Sequence, residues 1–142
     1  MKTILLVDDN EDDIFLMKTA CERSGYPHSL HIARDGREAV AYLSGEGEFS
    51  DRAKHPLPHL VFLDIKMPGM DGHEVLQWIR SEHDFVALPV VMLTSSNASS
   101  DLERAYAMGL NSYLRKGDDL TVFAQGMRII LKYWLGINIS PK

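Results

Sequence analysis

Four polar features break an otherwise apolar framework in this chain: the acidic pair Asp8-Asp9, then Asp64, Thr94 and Lys116. Each lies just beyond a segment that reads as a strand: the apolar runs Ile4 to Val7, Leu60 to Leu63 and Val90 to Leu93, and the short stretch Asn111 to Leu114. Three carboxylates brought to close range repel one another, and their pKa values rise unless a cation joins them. Hard oxygen ligands with no nearby thiol or clustered imidazole favour Mg²⁺ over zinc. A hydroxyl (Thr94) and an ammonium (Lys116) beside such a cation form a pocket for a tetrahedral oxyanion. The fitting cargo is a phosphoryl group, with Mg²⁺ and Lys116 neutralising the charge that develops on its oxygens. One carboxylate is then the nucleophile, because no cysteine or Ser-His pair competes for that task.

Residues this far apart in sequence meet only if the elements before them lie side by side. Thr3 to Val7 is a continuous apolar run, as expected of a strand buried on both faces. Asn10 is placed to cap the following helix, and Glu11, Asp12 and Asp13 suit its positive end. Ile14, Met17 and Cys21 recur at helical spacing until Ser24-Gly25-Tyr26-Pro27 stops the helix. Leu30 to Ala33 reads as a weak second strand, and Asp35-Gly36-Arg37-Glu38 as a capping box opening a helix with Ala39, Val40 and Leu43. Residues 45 to 59, rich in Gly, Pro and charge, read as a long polar loop. Leu60 to Leu63 is the next buried strand, and Asp71-Gly72-His73-Glu74 a second capping box before Val75, Leu76 and Ile79. Pro89 to Leu93, Ser99 to Met108 closed by Gly109, Asn111 to Leu114, and Asp118 to about Trp134 supply the remaining strands and helices. Alternation of this kind means an α/β domain with a parallel sheet, and right-handed crossovers place helices on both of its faces. Ligands bind such a sheet at the carboxyl ends of its strands, where the polar features fall.

The chain has 142 residues, 45% of them hydrophobic and 25% charged, which suits a single soluble domain with a full core. Lys+Arg 15 against Asp+Glu 20 leaves −5 and disfavours a nucleic-acid-coating role. The apolar runs are of strand length, so no membrane span is expected. Met1-Lys2-Thr3-Ile4-Leu5-Leu6-Val7 meets acid too early for a secretory signal. A single cysteine, Cys21, excludes an intrachain disulfide and a CxxC motif, and the expected location is cytoplasmic.

On Asp8-Asp9 after Ile4-Leu5-Leu6-Val7, Asp64 before Ile65-Lys66-Met67-Pro68-Gly69-Met70-Asp71-Gly72, Leu93-Thr94-Ser95 and Tyr113-Leu114-Arg115-Lys116, the chain resembles the receiver domain of two-component response regulators. The resemblance covers nearly all of it and implies a doubly wound (βα)5 flavodoxin-like sheet in strand order 2-1-3-4-5. It implies that Asp64 takes a phosphoryl group from a phosphohistidine of a sensor kinase or phosphotransfer protein. Asp9 and Asp64 would bind Mg²⁺ directly, Asp8 would assist partly through water, and the backbone carbonyl of Lys66 would complete the protein ligands. Thr94 and Lys116 would hold the phosphoryl oxygens, with the Ser95 amide nearby. Movement of Thr94 and rotation of Tyr113 would then remodel the face made by the fourth helix, fifth strand and fifth helix, a two-state element biased by a new anion. Gly117 departs from the proline usual after the lysine. The 45 to 59 loop, the Met-Pro-Gly-Met-Asp-Gly turn and the absence of an output domain look most like the small regulators partnered with bacterial phytochromes. Residues 1 to 142 are expected to form one receiver, with 135 to 142 as its tail, whose output to an unknown downstream protein passes through its own surface.

Other signals have plainer readings. Lys66 and Ser96 side chains lie near the expected entry path of the hydrolytic water. Tyr113 reads equally as a half-buried strand aromatic, Cys21 as an inert packed thiol. His55 and His59 cannot form a helical metal pair, because Pro56 and Pro58 forbid the helix. In the last helix Phe123, Met127, Ile130, Leu131 and Trp134 form a core stripe, and Val122, Ile129 and Tyr133 a second. Either the tail from Leu135 to Ile139 folds back over the second stripe, or a second copy of the chain covers it in a symmetric dimer; the dimer is the expectation adopted.

Three rival functions meet obstacles. An aspartate-nucleophile phosphatase usually needs a second acid two residues after the nucleophile, where this chain has Lys66. A flavodoxin-like electron carrier needs a phosphate-cradling loop after the first strand, where Asp8-Asp9-Asn10 would repel phosphate. A scaffold without phosphorylation would have no use for a complete acid set. The expected protein is therefore not an enzyme beyond assisting its own phosphorylation and dephosphorylation.

Overall fold

Thr3–Val7 (β1) is buried along its whole length, as an apolar run must be when both faces of a sheet are covered. The computed structural model describes residues 1–94, 99–116 and 119–141. After β1 come Glu11–Arg23 (α1), Ser29–Ala33 (β2), Gly36–Ser44 (α2), Leu60–Asp64 (β3), Gly72–Ser81 (α3), Val90–Thr94 (β4), Ser99–Ala107 (α4), Ser112–Arg115 (β5) and Leu120–Leu131 (α5). The strands form one parallel sheet in the order β2-β1-β3-β4-β5, the doubly wound, flavodoxin-like arrangement expected. The order reverses at β1, which pairs with both β2 and β3.

Alternate side chains of β1 serve two cores. Leu5 and Val7 pack with Ala39, Leu43, Val75, Leu76, Ile79 and Ala105 from α2, α3 and α4. Ile4 and Leu6 pack with Ile14, Met17, Phe123, Met127 and Leu131 from α1 and α5. Helix starts are set by short polar side chains taking orphan amides: Asn10 from Asp13, Asp35 from Glu38, and Asp119 from Thr121 and Val122. At Asp71 the reciprocal bond from Glu74 completes the capping box.

One expectation needs correction. Residues 45 to 59 are not a plain polar loop. They contain a 3₁₀ turn at Gly47–Ser50, and Arg52 donates to the carbonyls of Tyr42 at 2.7 Å and Leu43 at 2.8 Å, closing the end of α2. The His55 ring meets those of His31, Tyr42 and Phe49 edge to face, and the His31 and Tyr42 rings lie tilted to each other. At the C-terminal end the structure decides against the alternative set aside above. α5 passes into a π-helical turn at Lys132–Ile137, so Leu135 continues inward and is buried. The tail therefore does not cover the second stripe, and Val122, Ile129 and Tyr133 are exposed. Asp118, the expected start of this helix, lies outside the described residues; Asp119 supplies the cap.

Candidate functional site

The site gathers at the carboxyl edge of the sheet around the switch point. Asp8 directly follows β1 and is fully buried, with Oδ1 accepting from the Asn10 amide at 3.0 Å. Asp9 is exposed beside it. Asp64 ends β3, Thr94 ends β4 and is buried, and Lys116 stands one residue past β5. The Lys116 amide donates to the Thr94 carbonyl at 2.8 Å, so strand pairing itself sets where the lysine begins.

The sequence-expected residues converge. Asp8, Asp9 and Asp64 offer carboxylate oxygens that all lie within 4.8 Å of one another. The Lys116 ammonium stands 3.2 Å from Asp8 Oδ2 and 3.5 Å from Asp64 Oδ1. Burial pushes Asp64 up to about 6; the Lys116 charge opposes this and the Asp8 charge adds to it. Burial also raises Asp8, against the pull of the Asn10 amide and of Lys116. For Lys116, burial alone would favour the neutral amine, but the Asp13 hydrogen bond and the Asp64 and Asp8 charges more than offset it and hold the ammonium above its ordinary value. Clustered oxygen donors with surplus negative charge and raised acid pKa values suit a hard divalent cation.

Lys66 is exposed on the loop after β3, where it lines a cleft with Met67, His73, Asp101 and Arg104. Tyr113 lies in β5 with its hydroxyl buried. Burial raises that phenol, and the Asp101 charge adds to the effect while the Thr94 hydroxyl opposes it. Ser95, Ser96 and Gly117 lie outside the described residues. Cys21 is buried, and burial pushes its thiol up to about 12, as an inert packed thiol requires. His59 Nδ1 accepts from the Thr3 amide at 3.0 Å, a structural use of its ring.

Sequence reading assigned no site role to two residues that shape this edge. Gly72 donates its amide to the Ile65 carbonyl at 2.8 Å and lies against the backbone of Asp64; the Asp-Gly pair had signalled only a helix start. Asp13, read as helix-dipole compensation, accepts from Lys116 Nζ at 2.9 Å, the shortest of the lysine's three carboxylate contacts.

No helix among the described residues is long and apolar enough to cross a membrane. The chain matches the response regulator receiver domain over residues 4–128. It is 40% identical to "Probable methanogenesis regulatory protein FilR2" of Methanothrix harundinacea over 138 residues, 97% of this chain and 86% of that protein. The crystal structure of the phosphorylated cyanobacterial phytochrome response regulator RcpA superposes with a TM-score of 0.89 at 37% identity, covering 99% of each chain. The Mn²⁺-bound form of Rcp1, a response regulator of Synechocystis sp., gives 0.86 at 35% identity with both chains covered in full. These relationships support neither the phosphatase nor the electron carrier. Fold, edge geometry and family match agree: the chain belongs to the response regulator receiver domain family.

Proposed function

We propose that this receiver accepts a phosphoryl group on Asp64 and signals through a phosphorylation-dependent change in its surface. One observation carries the reading: the Asp64 carboxylate stands at the sheet edge with Lys116 Nζ 3.5 Å away and oxygens of Asp8 and Asp9 within 4.8 Å. An Asp64 oxygen attacks the phosphorus of a phosphohistidine, the new O–P bond replaces the N–P bond, and the imidazole leaves. Lys116 and Thr94 hold the transferred oxygens and compensate their charge. Asp8, Asp9, Asp64 and the Lys66 carbonyl would hold Mg²⁺, which when bound neutralises charge between carboxylates and phosphoryl group. The Mn²⁺-bound form of Rcp1 and the phosphorylated form of RcpA support a divalent cation and an acyl phosphate at this edge.

The same relatives support a phytochrome-type sensor histidine kinase as the upstream partner. Tyr113, with its buried hydroxyl near Thr94 and Asp101, reports occupancy to α4, β5 and α5, and a downstream protein reads that face. We read residues 1 to 142 as one cytoplasmic receiver whose chemistry is confined to its own phosphorylation and dephosphorylation. Val122, Ile129 and Tyr133 favour a homodimer through α5.

Incubation with Mg²⁺ and acetyl phosphate tests the central step. The expected product is an acid-stable, base-labile phosphoryl adduct by intact mass, absent from Asp64→Asn. No adduct on the natural chain, or an adduct that persists in Asp64→Asn, removes the assignment.

A further inference from the structure

Three consecutive acids open α1, and all of them suit the positive end of that helix. Only one reaches the site. Glu11 pairs with Arg34 at 2.8 Å on the surface, whereas Asp13 turns to Lys116 and takes its ammonium at 2.9 Å. Asp64 is the more distant partner at 3.5 Å. The ammonium that must serve a phosphoryl group on Asp64 is therefore held closest by a carboxylate from another element. We propose that Asp13 is a positioning residue that holds Lys116 back from Asp64, a brake on phosphoryl uptake. The proposal rests on Asp64 as the acceptor.

Exposure shows why Asp13 is the partner that lets go. Its side chain is 36% exposed, against 0% for Asp8. A carboxylate with that access to water is resolvated when the ammonium leaves, whereas a buried one stays uncompensated. Asp13 is thus a strong enough partner to bias the resting position of Lys116 and a weak enough one to be displaced. Charge acts in the same direction. A phosphoryl group adds up to two negative charges to a site that already carries Asp8, Asp9 and Asp13. The Asp13 amide donates to Asn10 Oδ1 at 3.0 Å, so the helix cap fixes where this side chain starts.

Contact and charge separate experimentally, because Asp12 has the same charge at the same helix end, while among the described residues Asp13 alone of the two accepts from Lys116. Asp13→Asn, Asp13→Ser and Asp12→Asn are compared with the natural chain for the rate of phosphorylation by acetyl phosphate, for half-saturation by beryllofluoride, and for Mg²⁺ affinity by calorimetry without any phosphodonor. Both Asp13 variants are expected to phosphorylate faster and to half-saturate at about fivefold lower beryllofluoride. They are also expected to bind Mg²⁺ more weakly, because the released ammonium leans on Asp64 and Asp8. Opposite signs for cation and phosphoryl analogue are a signature that loosened packing does not produce. Asp12→Asn stays close to the natural chain. Slower or unchanged phosphorylation in the Asp13 variants, or equal effects in Asp12→Asn, overturns the proposal. If the natural chain takes no phosphoryl group, the assignment of Asp64 fails by itself. The calorimetry still decides on the contact, and unchanged Mg²⁺ affinity in the Asp13 variants sinks it.

Discussion

Gly72 packs against the Asp64 carbonyl so closely that a Cβ would overlap the oxygen and stand 2.8 Å from the Ile65 Cα. Both obstacles are backbone, so neither can swing aside. Gly72 therefore does more than begin α3: it lets the helix start press on the strand end that presents Asp64. Gly72→Ala is expected to destabilise the protein by about 1–3 kcal/mol, a fall of several degrees in Tm, and to slow phosphorylation as the Asp64 backbone shifts. Thermal unfolding and acetyl phosphate kinetics check both halves. An alanine variant equal to the natural chain in both would mean that this approach is not tight.

The pKa of Asp64 makes stability depend on pH with a definite sign. Its folded value, about 6, stands above the ordinary 3.8 because burial disfavours the carboxylate. The folded, metal-free protein thus holds this proton more tightly than the unfolded chain does. Its contribution to stability falls as pH rises through the window from 3.8 to about 6 and stays low above it. At neutral pH the ionised, buried Asp64 costs on the order of 1–3 kcal/mol. Asp64→Asn is expected to raise the unfolding midpoint at neutral pH without metal and to narrow the gap at low pH. Mg²⁺ affinity of the natural chain should rise with pH through the same window, since proton and cation compete for one carboxylate. Urea titrations with and without Mg²⁺ measure these effects, and an asparagine variant no more stable at neutral pH contradicts the account.

The parts of the molecule readable from residues alone are those set by neighbours in sequence. Unbroken apolar runs gave away β1, β3 and β4, and Asn10, Asp35 and Asp71 marked helix starts because a cap bond spans only a few residues. The site was legible because a parallel sheet carries every strand end to one edge, which brings Asp8, Asp64, Thr94 and Lys116 together. What escaped depends on distances between elements. Asp13 has the same charge as its neighbours and stands apart in reaching Lys116, just past β5. Arg52 sits in a stretch whose glycines, prolines and charges read as loop. Its value lies in reaching the last carbonyls of α2, and Gly45, at φ 75°, leaves room for its guanidinium.

His73 and Asp101 link α3 to α4 and give an asymmetric prediction. His73 is 2% exposed, its Nε2 lies 3.3 Å from Asp101 Oδ1, and its buried Nδ1 has no partner among the described residues. Replacing His73 with leucine removes the bond and the unpartnered nitrogen together, so stability should change by less than about 1 kcal/mol. Asp101→Ala instead leaves both ring nitrogens without partners, and a loss of about 1–3 kcal/mol is expected. Chemical denaturation distinguishes the two. Because Tyr113 feels the Asp101 charge, its phenol should titrate lower in Asp101→Ala, read by the tyrosinate absorbance. Equal losses in the two variants would show that the ring nitrogens are not the source.

The outer stripe of α5 yields the last prediction. Val122 is 62% exposed, Ile129 71% and Tyr133 45%, and they recur along one line of the helix. Apolar side chains repeated this way on a helix whose opposite face is already buried in the core are the pattern expected of a surface that another protein covers. A two-fold axis across α5 would pair each stripe with its copy and extend onto the exposed Ile137. A stable association needs roughly 800 Å² from each partner, more than three side chains supply, so the neighbouring turn must contribute. Ile129→Glu places like charges against each other across such an axis while touching nothing in the core. Sedimentation at micromolar concentration should give a dimer for the natural chain and a monomer for the variant, with unchanged Tm and unchanged phosphorylation of each. A natural chain that sediments as a monomer both with and without phosphorylation leaves this stripe to a different partner.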